Sequence, residues 1–288
     1  MPPFFSFPTI RSLGSIAGVA NGAFLTADIP NRGTHYGVFL RGRTAAGVLL
    51  TPAQLNADID LITLRINGEP KIELTCTEAL MLQQHYGAAD SADNVNGIVP
   101  IPLHPRNLAT WQEKRALAWG MKDVRSFTIE INLAAALAQL SSLELWTLSS
   151  DEERNLGTHV LVRRFGQNYA STGEHEITSL LKDTAEIAYK SLFINKPGAS
   201  TITAVSVKAD GVLVYDRVPE ELNQVIIEDG KQQVQTGYYP VCFDSNGDLS
   251  GMLSMAGIKD FRPQVTWATA APNSYMIIAE IYAGLKAA

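Results

Sequence analysis

Two stretches, LRINGEPKIEL (Leu64 to Leu74) and VSVKADGVLVYD (Val205 to Asp216), constrain the fold more than any other feature. In the first, Ile62, Leu64 and Ile66 alternate with Thr63 and Arg65, and Ile72 and Leu74 alternate with Lys71 and Glu73. Between the two runs stands Asn67-Gly68, a pair that tolerates positive φ at both centres of a type I′ turn. The second stretch repeats the device with Asp210-Gly211. Superposing Gly68 on Gly211 sets a shift of 143 residues, 211 minus 68.

The same shift carries Glu78 onto Glu221 and Gly87 onto Gly230, which bracket a helix in each half. Thr75-Cys76-Thr77-Glu78 has capping-box spacing, and Pro219-Glu220-Glu221 makes a proline-led acidic start. Gly87 and Gly230 suit the positions just past a helix end. Upstream, THYGVFLR (Thr34 to Arg41) parallels IAYKSLFI (Ile187 to Ile194), with Tyr36 over Tyr189. Downstream, IVPIPL (Ile98 to Leu103) parallels YYPVCF (Tyr238 to Phe243), with Pro100 over Pro240. Prolines in such strands place them at edges or bends. Each half closes on a strand, FTIEINL (Phe127 to Leu133) in the first and MIIAEIYAGL (Met276 to Leu285) in the second.

The same order of elements, met twice, predicts tandem related domains. Turn-marked short strands with one inserted helix suggest an antiparallel sandwich. A jelly roll fits better than an immunoglobulin pattern, which would want Cys…Trp…Cys within one domain. The expectation is an all-β chain of two tandem eight-stranded antiparallel jelly-roll β-sandwiches, a short helix inserted in each. An N-terminal arm would cover residues 1–20, the first jelly roll 21–150 and the second 151–288. The polar stretch SSDEERNLG (Ser149 to Gly157) marks the seam.

With 46% apolar and 18% charged residues, the 288-residue composition is that of a globular protein. A net charge of −6 argues against a general electrostatic grip on nucleic acid. Cys76 and Cys242 stand outside any CxxC pattern and read as reduced, partly buried thiols, which points to synthesis inside a cell. The N-terminus is apolar, lacks a basic n-region and is broken by prolines, so it reads as neither signal peptide nor membrane span.

Residues that could carry chemistry are scattered. His35, His85, His104, His159 and His175 form no close metal pair. In Glu174-His175-Glu176, strand alternation puts His175 opposite both carboxylates. Asp244-Ser245-Asn246-Gly247-Asp248 has the first spacings of a calcium loop. Leu249 and Met255 occupy its glycine and glutamate positions, so an Asn-Gly turn is the better reading and structural calcium only an option. GSIAGVANG (Gly14 to Gly22) lacks the context of a phosphate loop and reads as a flexible lead-in. Trp111, Trp119, Trp146 and Trp267 are dispersed and read as core or interface anchors. No catalytic, cofactor-binding or metal residue is nominated, and no enzyme is expected.

Several segments in their order resemble the major capsid proteins of tailless icosahedral phages of the corticovirus type, in the double jelly-roll lineage. They are the strand from Asn21 to Pro30, LTPAQLNADIDLITLRINGEPKIEL (Leu50 to Leu74) with its TPxQ turn, and the helix that follows. EINLAAA (Glu130 to Ala136), VRRFGQNY (Val162 to Tyr169) and the VKADG hairpin (Val207 to Gly211) complete the series. The resemblance implies a virion protein, made in the host cytoplasm, that forms homotrimers of pseudo-hexagonal outline in a shell over an internal membrane. Its implied partners are neighbouring trimers, a vertex (penton) protein and membrane-associated viral proteins, with no direct nucleic acid. The apolar arm, Pro2 to Pro8, would face the membrane or a neighbouring trimer. The alternative is a tandem jelly-roll carbohydrate-binding or glycan-processing protein, which should show paired carboxylates or an aromatic platform.

Overall fold

The computed structural model describes residues 8–86, 97–105, 108, 110–182, 184–198, 200–229, 232–233, 235–244, 249–268 and 273–285. They form two compact units. The first takes the described residues of 1–84 and 88–160, and the second takes His85, Tyr86 and those from Leu161 onward.

The first unit contains strands β1 (Thr9–Ile16), β2 (Phe24–Asp28), β3 (Thr34–Arg43), β4 (Ile59–Ile66), β5 (Glu69–Leu74), β6 (Ile98–Pro102), β7 (Trp119–Gly120), β8 (Phe127–Leu133) and β9 (Ser142–Ser150). Helices α1 (Pro52–Asp58), α2 (Cys76–His85) and α3 (Trp111–Leu117) interrupt them. One sheet runs β1-β9-β3-β6 with the two-residue β7 beside β3, and the other runs β2-β8-β4-β5.

The second unit contains β10 (His159–Asn168), whose first two residues fall in the first unit, then β11 (Gly173–Glu176), β12 (Ile187–Asn195), β13 (Ile202–Ala209) and β14 (Val212–Val218). After α4 (Glu220–Asp229) come β15 (Tyr238–Cys242), β16 (Leu253–Ser254), β17 (Phe261–Trp267) and β18 (Ser274–Ala283). Its sheets run β10-β18-β12-β15, with the short β16 beside β12, and β11-β17-β13-β14. Adding nine to each strand number of the first unit reproduces the second. Two four-stranded antiparallel sheets per unit make the double jelly roll expected from sequence, each with an extra two-residue strand.

The hairpins that signalled the duplication match in hydrogen-bond detail. Asn67 and Gly68 have φ of 51° and 81°, and Asp210 and Gly211 have 47° and 80°. Asn67 Oδ1 accepts from the amides of Arg125 (2.7 Å) and Ser126 (3.2 Å). Asp210 Oδ1 accepts from those of Lys259 (3.0 Å) and Asp260 (2.8 Å). Each turn therefore ties itself to the loop that enters the next strand of its own sheet, β8 or β17. Asn and Asp serve here as acceptors as well as residues tolerant of positive φ.

Register refines the sequence alignment. Phe39 of β3 faces Pro100 and Phe193 of β12 faces Pro240, so the two prolines are equivalent, and both lie on outer strands. The β-bulge against β9 lies between His35 and Gly37, and that against β18 lies between Tyr189 and Ser191. Tyr36 therefore corresponds to Lys190, one residue beyond Tyr189, because bulges and not side-chain likeness fix the register. The hairpin shift of 143 holds to Ile72 and Tyr215, which face Leu64 and Val207. Beyond them, Leu74 and Val218 face Ile62 and Val205, a shift of 144. The added residue is accommodated at Arg217, which has φ of 45° and donates its amide to Ser206 Oγ at 2.9 Å. Glu78 thus stands over Leu222 rather than Glu221.

Three further expectations change. FTIEINL is β8, whose counterpart is β17, while the closing strand β18 corresponds to β9; each pair occupies the same place in its sheet. Thr9–Ile16, expected within the arm, is strand β1, and Gly14 of the supposed lead-in has φ of 93° at a bulge against β9. Only Ile16 of β1 is buried, so the period-2 signal that marks a strand is missing. The TPxQ turn and a segment near Trp111 form α1 and α3, each opened by a capping box, Thr51 with Gln54 and Thr110 with Glu113. The box expected at α2 is present: Glu78 N donates to Thr75 Oγ1 (3.1 Å) and Thr75 N to Glu78 Oε2 (2.8 Å). Residues 87 and 230, expected as helix stops, and residues 1–7 of the apolar arm lie outside the described residues.

The core of the second unit packs Tyr189, Leu192, Val205, Val207, Val241, Phe261, Val265 and Ile277 from its two sheets. In the first unit the corresponding inward positions, among them Val38, Leu64, Ile101, Ile129 and Leu145, are 0–1% exposed. Burial of this kind, about 25 cal/mol per Å² of apolar surface, holds each sandwich together.

Candidate functional site

A dense polar cluster surrounds the bulge of β12 in the second unit. Lys190 and Glu280 are 0% and 1% exposed, and their Nζ and Oε2 atoms are 3.2 Å apart. Ser191 Oγ donates to the same Oε2 at 2.9 Å, and Tyr86 OH donates to it as well. Lys190 Nζ also sits 3.7 Å from the centre of the Tyr86 ring, a cation–π contact. Burial, reinforced by the Glu280 charge, pushes the Tyr86 phenol well above its usual range. This keeps it a donor.

Beside this cluster, His85 Nδ1 donates to the Gln233 carbonyl (2.8 Å), while Nε2 lies 3.5 Å from Cys242 Sγ. Burial lowers the His85 pKa to about 4 and raises that of Cys242 to about 12, so both groups are neutral at pH 7. Asp244 Oδ2 accepts from Tyr282 OH (2.8 Å) and from the Leu249 amide (3.1 Å). Glu280 and Ser191 face each other between the core pairs Tyr189/Ile281 and Leu192/Ala279, so the cluster lies on the face of β12 and β18 turned away from the sandwich core. Its hydrogen bonds brace the strands that carry it.

The first unit solves the same position differently. Tyr36 stands at the bulge of β3, its OH 3.4 Å from Ser150 Oγ and its ring 4.6 Å from that of Trp111. The residue facing Gly37 there is Leu148, where Glu280 faces Ser191 in the second unit. His35 Nδ1 bonds Thr147 Oγ1 at 2.9 Å, and burial lowers its pKa to about 4.

The remaining candidates make local contacts of their own. His175 stacks on Tyr169 (4.3 Å, 5°) and bonds Tyr275 OH at 2.6 Å. Glu174 and Glu176 pair with Arg217 (3.4 Å) and Arg262 (3.3 Å) instead, as strand alternation requires. Trp119 and Trp267 are core residues, whereas Trp111 is 38% exposed. Of the calcium-like loop, residues 245–248 lie outside the described residues. Among the described residues no three His, Cys, Asp or Glu side chains gather as a metal site, and no helix is long and apolar enough to cross a membrane.

Lys190, Glu280 and Tyr86 did not stand out in the sequence. One signal was there to be read: Lys190 and Glu280 are the lone charges in the two apolar strands IAYKSLFIN and SYMIIAEIYA. A charge in such a strand needs a buried partner.

Two sandwiches of one strand plan in a single chain are the feature the comparisons explain. Residues 10–150 match the viral coat protein P2 N-terminal domain, and residues 161–285 match the viral coat protein P2 C-terminal domain. The chain belongs to the viral coat protein P2 family. No curated protein matches it in a sequence search. Among solved structures, the major capsid protein P2 of bacteriophage PM2 is similar at a TM-score of 0.81 and 19% identity, over 97% of this chain and 98% of that one. The PBCV-1 virus capsid protein is similar at 0.68 and 11%, over 98% and 95%. The STIV MCP is similar at 0.68 and 12%, over 96% and 96%. As a member of a viral coat protein family, the chain has its place in the virion shell, and the family implies a structural role.

Proposed function

We propose that this chain is the major capsid protein of a membrane-containing icosahedral phage and that it assembles as homotrimers of pseudo-hexagonal outline. The observation that carries this reading is the strand plan met twice in one chain. Three such chains around an axis present six similar sandwiches, so a threefold particle fills a place of near-sixfold symmetry. Trimers would contact one another, a vertex (penton) protein and membrane-associated viral proteins. A net charge of −6 supports a shell that does not grip the genome directly. In this reading the buried polar clusters brace the strands that carry them.

Light scattering on the purified protein tests the assembly. Three copies of 31.3 kDa should give a particle of about 94 kDa, with a hexagonal outline by negative-stain microscopy. A monomer that persists at every concentration and salt condition would overturn the reading.

A further inference from the structure

Six of the eleven large apolar side chains exposed among the described residues lie on two consecutive elements of the second unit. They are Val212, Leu213 and Val214 of β14, and Leu222, Val225 and Ile226 of α4. Successive residues of a strand point to opposite faces, so three exposed in a row mean that the tip of β14 is bare on both sides. β14 is also the last strand of its sheet, with backbone groups free to pair along one side. Leu222, Val225 and Ile226 stand at i, i+3 and i+4 and share one helix face. The opposite face is anchored by buried Asn223 and Ile227, with Asn223 Nδ2 donating to the Pro240 carbonyl at 2.7 Å. Tyr215 OH donates to Asn223 Oδ1 at 3.2 Å and links the two elements.

The duplicated plan supplies the comparison that gives this surface meaning. The first helical hydrogen bonds, Ala79 N to Thr75 O and Asn223 N to Pro219 O, are both 3.0 Å and align α2 with α4 at a shift of 144. Leu222, Val225 and Ile226 then stand over Glu78, Met81 and Leu82, which are 3%, 4% and 0% exposed. The chain covers this face of α2 with its own residues. At α4 the same face is apolar and bare among the described residues. In a ring of six like sandwiches each unit meets a like unit on either side, and its own chain supplies only one of them, so a second copy supplies the other.

We infer that α4 and the edge strand β14 form the face on which a second copy of this chain docks, head to tail. The inference rests on the trimeric reading above and locates its contact. Such a contact joins unlike surfaces and closes into a ring when three copies complete the turn. A lipid surface is the weaker fit. The helix EELNQVIIED carries four acidic and no basic residues, so an anionic bilayer would repel it. Exposed apolar side chains on two neighbouring elements suit the dry centre of a protein contact.

The Leu222→Glu/Val225→Glu double variant tests the contact, since both positions are exposed and each sandwich should fold unchanged. Wild type should scatter as the trimer, whereas the variant should scatter as a 31.3 kDa monomer with an unaltered near-UV circular dichroism spectrum. A wild-type trimer whose variant remains trimeric overturns the contact and leaves the trimer standing. A wild type that never trimerises overturns the reading beneath it. A variant that stays trimeric but no longer floats with phosphatidylcholine vesicles that the wild type binds would assign the face to lipid and overturn the inference. Should the double variant misfold, Val225→Cys gives a second readout. Burial raises the pKa values of Cys76 and Cys242 to about 12, which leaves residue 225 as the reactive thiol. Maleimide labelling there should be at least ~10-fold slower in the native particle than in urea, because only the exposed thiolate reacts. Equal rates would overturn the inference.

Discussion

The two units share every strand position yet fill the same bulge with different chemistry. In the first, Tyr36 and Leu148 occupy the places that Lys190 and Glu280 occupy in the second. One is a hydroxyl beside Ser150; the other is a fully buried ion pair with a hydroxyl on each side. Strand order and the bulge are therefore set by something other than this side-chain pair. Backbone pairing and apolar burial, common to both units, decide the fold, and the pair is tolerated where its bonds close. The helices differ in the same way. α2 and α4 occupy one place in the plan, and the face that is buried at α2 is exposed at α4.

The largest test of that difference is Lys190→Met, which removes the buried ammonium beside the Glu280 carboxylate. It should cost ~3–5 kcal/mol, whereas Lys190→Met/Glu280→Gln should recover most of the loss. Tyr36→Phe at the equivalent position should cost no more than about 1.5 kcal/mol. Denaturant titration of each variant checks these values, and a Lys190→Met loss as small as that of Tyr36→Phe would erase the contrast.

Acid should strain both units alike. His35 and His85 fall from 6.5 to about 4 through burial, so between those values the unfolded chain binds protons that the native chain refuses. Their contribution is whole above pH 6.5 and is lost as the pH falls towards 4, on the order of 3 kcal/mol for each histidine. Urea midpoints at pH 7 and pH 4.5 should differ by less in His35→Gln or His85→Gln than in wild type.

The twin turns should respond equally. Asn67→Gly and Asp210→Gly keep the positive φ but remove the acceptor that holds two amides, and each should cost ~1–2 kcal/mol. A clear inequality would show that the two hairpins do different work despite their shared geometry. The smallest effect belongs to Arg217→Lys, whose exposed contact with Glu174 spans 3.4 Å. A change within about 0.5 kcal/mol is expected in its melting curve.

Local chemistry was legible in the residues themselves. Asn-Gly and Asp-Gly fixed two turns, Thr75 with Glu78 fixed a cap, and two prolines identified outer strands, because each depends on neighbours within a few positions. The strand order, taken as a jelly roll from the repeated sequence of elements, also emerged. The sequence misaligned the closing strands and missed β1. Partner choice in a sheet is a long-range matter, and an edge strand with one buried residue carries no periodic signal.

What tertiary structure alone decided is more specific. It placed Tyr36 over Lys190, because a bulge shifts register without altering composition, and it located the extra residue at Arg217. It gathered Tyr86, Lys190, Ser191 and Glu280 from three separated segments around one carboxylate oxygen. It also separated two helices that read alike as hairpin followers, one with the matching face buried and one with it exposed. Burial depends on what the rest of the chain places over a face, and no local pattern carries that information.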